Sequence, residues 1–167
     1  LIRHIGVSTV TPEATAAIVS SGKAEAIQVP ASILDHRFTG GGICAQAAER
    51  RMAVFARSIY LQGLVLMNEE DIPADLLDVI PPLRRLRLVA AEAGMTLAEL
   101  AVRFILGLDE VTCILVGVES VAQVKQNVEL FDKGALDAEL TAAVRAAVPS
   151  LAEHILCPYR WAKRMPD

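Results

Sequence analysis

The sequence predicts an α/β fold of parallel strands, and two observations lead to this prediction. Short β-rich apolar runs at residues 1–8, 26–29, 52–58 and 112–116 are each followed by residues with helical apolar spacing. The chain of 167 residues is 53% hydrophobic and 22% charged, which is typical of a globular domain with a sizeable core. Alternation in the order βα, βα, βαα, βα implies parallel strands that are joined by right-handed crossovers.

The first unit begins with residues 1–8, whose apolar run predicts a buried strand. Thr11 is a suitable N-cap, and Pro12 fits the first helical position because its missing N–H has no partner there. We expect this helix to end near residue 21, before Gly22, which can adopt the left-handed conformation of a helix end.

The second unit has a strand at residues 26–29, which Pro30 ends. Residues 35–42, DHRFTGGG, predict a flexible loop, and residues 43–51 predict a helix. The third strand is expected at residues 52–58.

The third unit carries two helices after a long connection with acidic and proline residues. Pro82 opens the first of these helices and Gly94 closes it. Thr96 and Glu99 have the spacing of a capping box for the second helix, at residues 97–106.

The fourth unit joins the strand at residues 112–116 to Gly117 and then to a helix at residues 121–131, with Ser120 as its N-cap. Strand, glycine turn and helix N-terminus together form a favourable anion site, since backbone N–H groups converge where glycine lets a ligand come close. The alternative is an ordinary βα turn that binds nothing. A last helix is expected at residues 137–148.

Four βα units fit two architectures within a single domain of residues 1–167, of which residues 150–167 form a C-terminal tail. One is a small doubly wound sheet, and the other is half of a (β/α)8 barrel, whose full size is about 250 residues. Half a barrel has two open sheet edges. The other half is then expected from an earlier segment of the same chain or from a second copy in a homodimer.

Composition excludes several classes of function. The net charge is −4, and the densest basic group, Arg84, Arg85 and Arg87, has the pattern of a solvated helix face rather than of a nucleic-acid site. The 3 cysteines are far apart, which indicates a reducing compartment, hence the cytoplasm, and no metal site. No apolar run reaches the ~18 residues that a membrane span needs.

Four segments together resemble the C-terminal half of aldo-keto reductases: IRHIGVST, AIQVPASILDHR, VFARSIYLQGLVLM and ILVGVESVAQVKQN. The segment RSIYLQGLVLM also resembles a bacterial branch found beside or fused to sugar-nucleotide transferases of the spore-coat polysaccharide type. The resemblance implies a TIM barrel that uses NAD(P)H to reduce a small aldehyde or ketone, such as a sugar derivative. It also implies that the family's catalytic Asp, Tyr, Lys and His precede Leu1, so no catalytic residue is assigned in this chain.

The resemblance assigns a nicotinamide site to the ends of the first three strands. Ser8, Thr9 and Gln28 match residues that hold the carboxamide, although Thr9 stands where Asn is common. Arg57 stands where an aromatic residue often stacks on the ring. The alternatives are a satisfied core glutamine at position 28 and a rim arginine paired to a carboxylate at position 57.

The rest of the dinucleotide is assigned to two turns. Residues of the first match the loop around the pyrophosphate, with Ile59 in place of the usual proline: Ser58, Ile59, Tyr60 and Gly63. Residues of the second match the adenosine-phosphate site: Gly117, Glu119, Gln123, Gln126 and Asn127. Because Glu119 repels a 2′-phosphate, we expect NAD(H) to be preferred over NADP(H).

Other polar residues have structural interpretations. His4 is expected at a strand edge or in packing, and Asp35, His36 and Arg37 are expected to form a salt-bridged rim. The tail with His154 and Cys157 is expected to dock on the barrel, with Tyr159, Arg160 and Trp161 as candidates for substrate contact.

A second hypothesis belongs to another class of function. The chain would be a non-catalytic half barrel that dimerises or binds a partner in a polysaccharide pathway.

Overall fold

The computed structural model of the chain, which describes residues 1–40 and 42–161, contains one sheet of four parallel strands in the order β1-β2-β3-β4. The strands are β1 Gly6–Ser8, β2 Ala26–Pro30, β3 Ala53–Arg57 and β4 Cys113–Ile114. The predicted α/β class is confirmed. Neighbours in the sheet are also neighbours in the chain, as in a barrel, whereas a doubly wound sheet reverses its strand order.

The predicted helices occur in the expected order along the chain, and one further short helix lies in the tail. They are α1 Pro12–Ser21, α2 Ile43–Glu49, α3 Ile80–Glu92, α4 Leu97–Leu106, α5 Val121–Asp132, α6 Ala138–Ala147 and α7 Glu153–Leu156. Short 3-10 helices occur at Leu64–Leu66, Glu69–Asp71, Ala74–Val79 and Pro158–Arg160. The connection after β3 is therefore more regular than its acidic and proline residues indicate.

Only one face of the sheet is fully covered. Ile27, Val29, Val54 and Ala56 are each 0% exposed and pack within the hydrophobic core. The alternate residues of the strands, among them Gln28, Phe55 and Arg57, are only half-buried. A doubly wound sheet is buried on both faces, so the open face favours the half-barrel architecture.

The prediction of a buried strand at residues 1–8 is wrong. Only β1 is extended within this run, its three residues are exposed, and Leu1, Ile2 and Ile5 are exposed as well. β1 has β2 on one side and no other strand of the described chain on its second side. The large apolar side chains of this run are therefore not covered by other described residues, although β1 pairs with β2.

Helix caps agree with the sequence at α1, but α3 begins at Ile80, two residues before the predicted Pro82, and the capping box of α4 is incomplete. Thr11 caps α1, and Gly22 ends it with φ of +64°. Thr96 Oγ1 accepts from the Glu99 N–H at 3.1 Å, but the Glu99 carboxylate does not complete the capping box. It binds Lys133 at 2.6 Å and Arg103 at 3.1 Å, which ties α4 to the end of α5. These partners, Lys133 first, lower the pKa of Glu99.

The pattern of the α3 arginines predicts a solvated helix face, but in the structure all three have protein partners. Arg84 and Arg87 both bind Glu69, and the Arg84 hydrogen bond lowers the pKa of that carboxyl. Arg85 donates to the Ala147 carbonyl at 2.7 Å. The three arginines therefore fasten α3 to the preceding connection and to α6.

Candidate functional site

The carboxyl ends of the four strands lie at one edge of the sheet. Ser8 ends β1 and Arg57 ends β3, while Gln28 lies in β2, opposite Ser8 in the strand register. Gly117 follows β4 by three residues. Because adjacent parallel strands end on the same side, the structure brings four separate segments of the predicted site to a single mouth.

Ser8 and Gln28 form the centre of this edge. Ser8 Oγ donates to Gln28 Oε1 at 2.8 Å. Within the described chain the Gln28 amide nitrogen has no acceptor, so Gln28 is not the fully satisfied core glutamine of the alternative. A hydroxyl that can still accept lies beside an amide that can still donate, which is the complement of a carboxamide.

Thr9 is more enclosed than the sequence indicates. It is 5% exposed, and its hydroxyl lies 2.7 Å from that of Thr15 on α1. Its backbone N–H donates to the Gln28 carbonyl at 2.9 Å. The hydroxyl is therefore engaged within the first βα unit, and its contact with a carboxamide stays a prediction.

Arg57 reaches across the strand ends. Its Nη2 donates to the Thr9 carbonyl at 3.2 Å, and its Nη1 donates to Ser58 Oγ at 3.3 Å. Among the described residues it has no carboxylate partner. The alternative of a rim arginine paired to a carboxylate is thus not found, and the guanidinium charge at the mouth is uncompensated.

The loop after β3 has unusual backbone geometry. Ser58, Leu61 and Gln62 have φ of 60°, 47° and 54°, and Gly63 follows at 85°. Left-handed residues other than glycine are uncommon and often mark functional loops. Apart from the glycine that follows them, no feature of the sequence predicts a left-handed conformation at Leu61 or Gln62.

Several N–H groups of this loop are available to a ligand. Those of Ile59, Tyr60, Gln62 and Gly63 donate to no acceptor within residues 1–40 and 42–161. Adjacent unpaired N–H groups in such turns attract anions. The Ile59 side chain is 1% exposed in the core, so Ile59 offers its backbone rather than its side chain. Burial raises the pKa of Tyr60, which keeps its phenol protonated.

The turn between β4 and α5 is open above its glycine. A Cβ added to Gly117 would meet no atom within 4 Å. The Glu119 N–H donates to Gln123 Oε1 at 2.6 Å, and Ser120 Oγ caps the helix through the Gln123 N–H. Gln123 therefore closes the turn instead of pointing away from it.

Two further predicted residues lie along α5. Gln126 is exposed and Asn127 is half-buried. Neither side chain makes a hydrogen bond within the described chain, so both amides remain available. Their contact with adenine stays a prediction.

Residues 32–37 after β2 form a hydrogen-bonded turn, and the flexibility expected for residues 35–42 stays a prediction. Asp35 is 1% exposed, and Ser32 Oγ accepts from the N–H groups of Leu34 and Asp35. Arg37 binds Asp35 through two bonds, of 2.8 and 2.7 Å, which raise the pKa of Arg37. The predicted salt-bridged rim is confirmed for this pair.

The same arginine holds the C-terminal tail, as predicted. Arg37 Nη1 lies 3.7 Å from Cys157 Sγ, and Nη2 donates to the Leu156 carbonyl at 3.4 Å. Trp161 Nε1 donates to the His154 carbonyl at 3.0 Å. Tyr159 is 60% exposed beside the cleft at Arg57. The remainder of the tail, residues 162–167, lies outside the described residues.

In the part of the chain that the structure describes, no group of three or more His, Cys, Asp or Glu could hold a metal ion. None of the helices there combines the length and hydropathy that crossing a bilayer requires. His4 lies at the sheet edge, exposed and 3.1 Å from Glu25.

The fold defines a class: a segment of a parallel α/β barrel whose strand ends lie at one open edge of the sheet. A sequence model of the Aldo/keto reductase family matches residues 1–149, and the chain belongs to this family. Among curated proteins, no match is found. The resemblance to the spore-coat branch stays a prediction.

Solved structures share the fold. The aldo-keto reductase AKR11C1 from Bacillus halodurans, in its holo form, superposes with a TM-score of 0.72 at 23% identity, over 93% of this chain and 54% of that one. Glycerol dehydrogenase AKR11B4 from Gluconobacter oxydans has a TM-score of 0.67 at 23% identity, over 94% and 51%. The chain thus spans about half the length of these structures.

Proposed function

We propose that this chain is the cofactor-binding half of an NAD(P)H-dependent reductase of aldehydes or ketones. One observation carries the proposal. Ser8, Gln28, Arg57, the loop at residues 58–63 and Gly117 come from four βα units and meet at one edge of the sheet. The open positions along that edge, namely an amide, unpaired N–H groups and a glycine, are those that a dinucleotide needs.

The residues fit the cofactor in three places. Ser8 and Gln28 would bind the carboxamide and so fix which face of the nicotinamide ring is presented. Arg57 would flank the ring, and the N–H groups of Ile59, Tyr60, Gln62 and Gly63 would bind the pyrophosphate. The turn at Gly117 and the first turns of α5 would bind the adenosine half. When bound, the cofactor supplies the hydride.

We further propose that proton transfer is the task of residues outside this chain. No hydrogen bond between described residues joins Tyr60 or Tyr159 to a lysine or a histidine. The half described here would bind and orient the cofactor, and a segment that precedes it in the full-length protein would carry the acid. The compartment is proposed to be the cytoplasm.

The charge at the adenosine end supports NAD(H) as the preferred cofactor. Glu119 is exposed at the turn, and the nearest cation along α5 is Lys125, which is also exposed. A carboxylate repels a 2′-phosphate but accepts a hydrogen bond from a free ribose hydroxyl. Glu119→Lys should shift the preference toward NADPH, while Glu129→Lys, farther along the same helix, should not.

The direct test is titration of the full-length protein with NADH and with NADPH, followed by turnover with small aldehydes. The proposal expects saturable binding, tighter for NADH, and oxidation of the cofactor that depends on the aldehyde. Absence of binding for both nucleotides would overturn it, and tighter NADPH binding would overturn the preference alone.

A second candidate function rests on exposed apolar surface. Leu1, Ile2 and Ile5 are exposed beside β1, and Val121, Val124 and Val128 are exposed on α5. We propose, as the alternative, that these faces serve association with a second copy in a non-catalytic half barrel. Sedimentation of the chain of residues 1–167 tests this, since a monomer would contradict it.

A further inference from the structure

Arg57 is the cation at the mouth that lacks a counter-charge. Arg37 is paired to Asp35 at 2.7 Å and Arg160 to Glu153 at 3.2 Å, whereas no carboxylate of the described chain pairs with Arg57. Partial burial removes some of the water around this guanidinium, so an anionic ligand would gain more from pairing with it than from pairing with an exposed arginine. An unpaired cation in a cleft therefore favours the binding of an anionic ligand.

The guanidinium is held in place but not saturated. The acceptors of its two hydrogen bonds, the Thr9 carbonyl and Ser58 Oγ, are both neutral. A guanidinium carries five N–H donors, so others remain for a planar oxyanion. Because the Arg57 side chain is already held in place, it loses little conformational entropy when a ligand binds.

Its location separates the reacting end of the mouth from the adenosine end. Arg57 on β3 reaches the Thr9 carbonyl at the end of β1, so its side chain spans the end of β2, where the Ser8–Gln28 pair lies. In the proposed function that pair holds the nicotinamide carboxamide. A group that contacts the guanidinium from the open side is then next to the ring that gives the hydride.

A small cleft of about 20 Å³ lies beside the guanidinium, and Val10, Pro30, Ser58, Cys157 and Tyr159 are among its lining residues. It admits a group no larger than a water molecule. The body of a ligand therefore stays in the open mouth, and only a polar end can approach Arg57 from there.

We propose that Arg57 determines substrate specificity by binding an oxyanion, a carboxylate or a phosphate, on the carbonyl substrate. This inference rests on the proposed function, since it assigns the substrate class of the same site. The other source of the same chemistry is the cofactor's own pyrophosphate, and the experiment separates the two.

The experiment compares 4-oxobutanoate with the uncharged butanal in the full-length protein with NADH. Arg57→Gln should lower the ratio of kcat/KM for 4-oxobutanoate over butanal by about tenfold or more, as loss of a charged hydrogen bond does. Arg57→Lys should lower it less. Arg50→Gln, the same charge change on an exposed residue at the other end of β3, should leave the ratio unchanged.

Two results would overturn the inference. If Arg57→Gln lowers kcat/KM equally for 4-oxobutanoate and butanal, the guanidinium does not bind the charged group of the substrate. If it raises the Kd for NADH without changing the ratio, the guanidinium serves the pyrophosphate.

A binding measurement decides the case where Arg57→Gln folds poorly or where neither aldehyde is reduced. With NADH present, malonate should raise the Tm of the wild type and raise that of Arg57→Lys less. Equal Tm shifts would contradict the role of Arg57. Loss of all turnover together with a difference in malonate shift would contradict the proposed reaction and support the anion site.

Discussion

Ser8 and Gln28 are joined by a 2.8 Å hydrogen bond between neighbouring strands, at the carboxyl edge of the sheet. The bond orients both side chains while the Gln28 amide keeps its donors and the Ser8 oxygen keeps its lone pairs. The pair is therefore positioned before any ligand arrives, and its removal should affect binding more than folding.

Ser8→Ala should lower the affinity for NADH by about fivefold, which corresponds to about 1 kcal/mol for one hydrogen bond. The unfolding free energy should change by less than about 1 kcal/mol because Ser8 is exposed. Fluorescence titration and urea unfolding measure the two quantities. Ser21→Ala, which removes a hydroxyl bonded to Ile18 at the end of α1, is the control and should leave NADH binding intact.

Asp35→Ala should destabilise the protein by about 3 kcal/mol, since it leaves Arg37 largely enclosed without its partner. Trypsin should then cut the tail faster, because Arg37 also holds Leu156 and Cys157. Glu153→Gln breaks an exposed pair with Arg160 and should cost less than about 1 kcal/mol. If the two variants lose the same unfolding free energy and are cut by trypsin at the same rate, the Asp35–Arg37 pair does not hold the tail.

Gly117→Ala should fold as well as the wild type, because a Cβ there meets nothing within 4 Å. The added methyl group should nevertheless weaken NADH binding by about tenfold or more, equal to about 1.4 kcal/mol, if a phosphate approaches this turn. Calorimetric titration measures the affinity. Gly107→Ala is the matched control, since its Cβ would lie at an ordinary 3.5 Å from its neighbours; unchanged affinity in both variants would remove the turn from the site.

His36 gives the protein a pH dependence of known sign. Burial first, and the Arg145 charge second, lower the pKa of His36, while the Ile33 carbonyl and Asp35 oppose that shift. In the unfolded chain the pKa is about 6.5, so the unfolded state takes up the proton first as the pH falls. Stability should therefore decrease below about pH 6.5 and level off below the folded pKa.

Urea unfolding between pH 7.5 and 5, chosen to bracket the ordinary pKa of about 6.5, tests this dependence. His36→Gln should show a shallower decrease than the wild type. His4→Gln, at an exposed edge, should keep the wild-type slope, and an unchanged slope in His36→Gln would refute the assignment.

The helices could be predicted from the sequence because their ends are determined locally. Thr11, Pro12 and Gly22 lie within one turn of the ends of α1, and the observed helix begins and ends where they indicate. The parallel direction of the strands followed from the alternation of elements, whereas their order was left open between two architectures. The burial of a strand could not be predicted in this way, because it depends on which elements pack against the strand. Residues 1–8 have the composition of a core strand, yet they are exposed at the β1 edge of the sheet.

The hydrogen-bond partners of the site's side chains could not be predicted from neighbouring residues either, because these partners are distant in the chain. The acceptor of Arg57 just after the first strand is 48 residues away in the chain, and the lysine that diverts Glu99 from its capping box is 34 residues away. The left-handed residues Leu61 and Gln62 have no preference for that conformation. They adopt it because of their surroundings in the fold.

The account depends most on four strand ends acting as one dinucleotide site. Hydrogen exchange of the full-length protein with and without saturating NADH tests this directly. We expect slower exchange on binding in peptides that contain residues 8–9, 28, 58–63 and 117–127, and no change in α3. Unchanged exchange in these segments, or protection of the turn at Gly117 without protection of residues 58–63, would contradict the account.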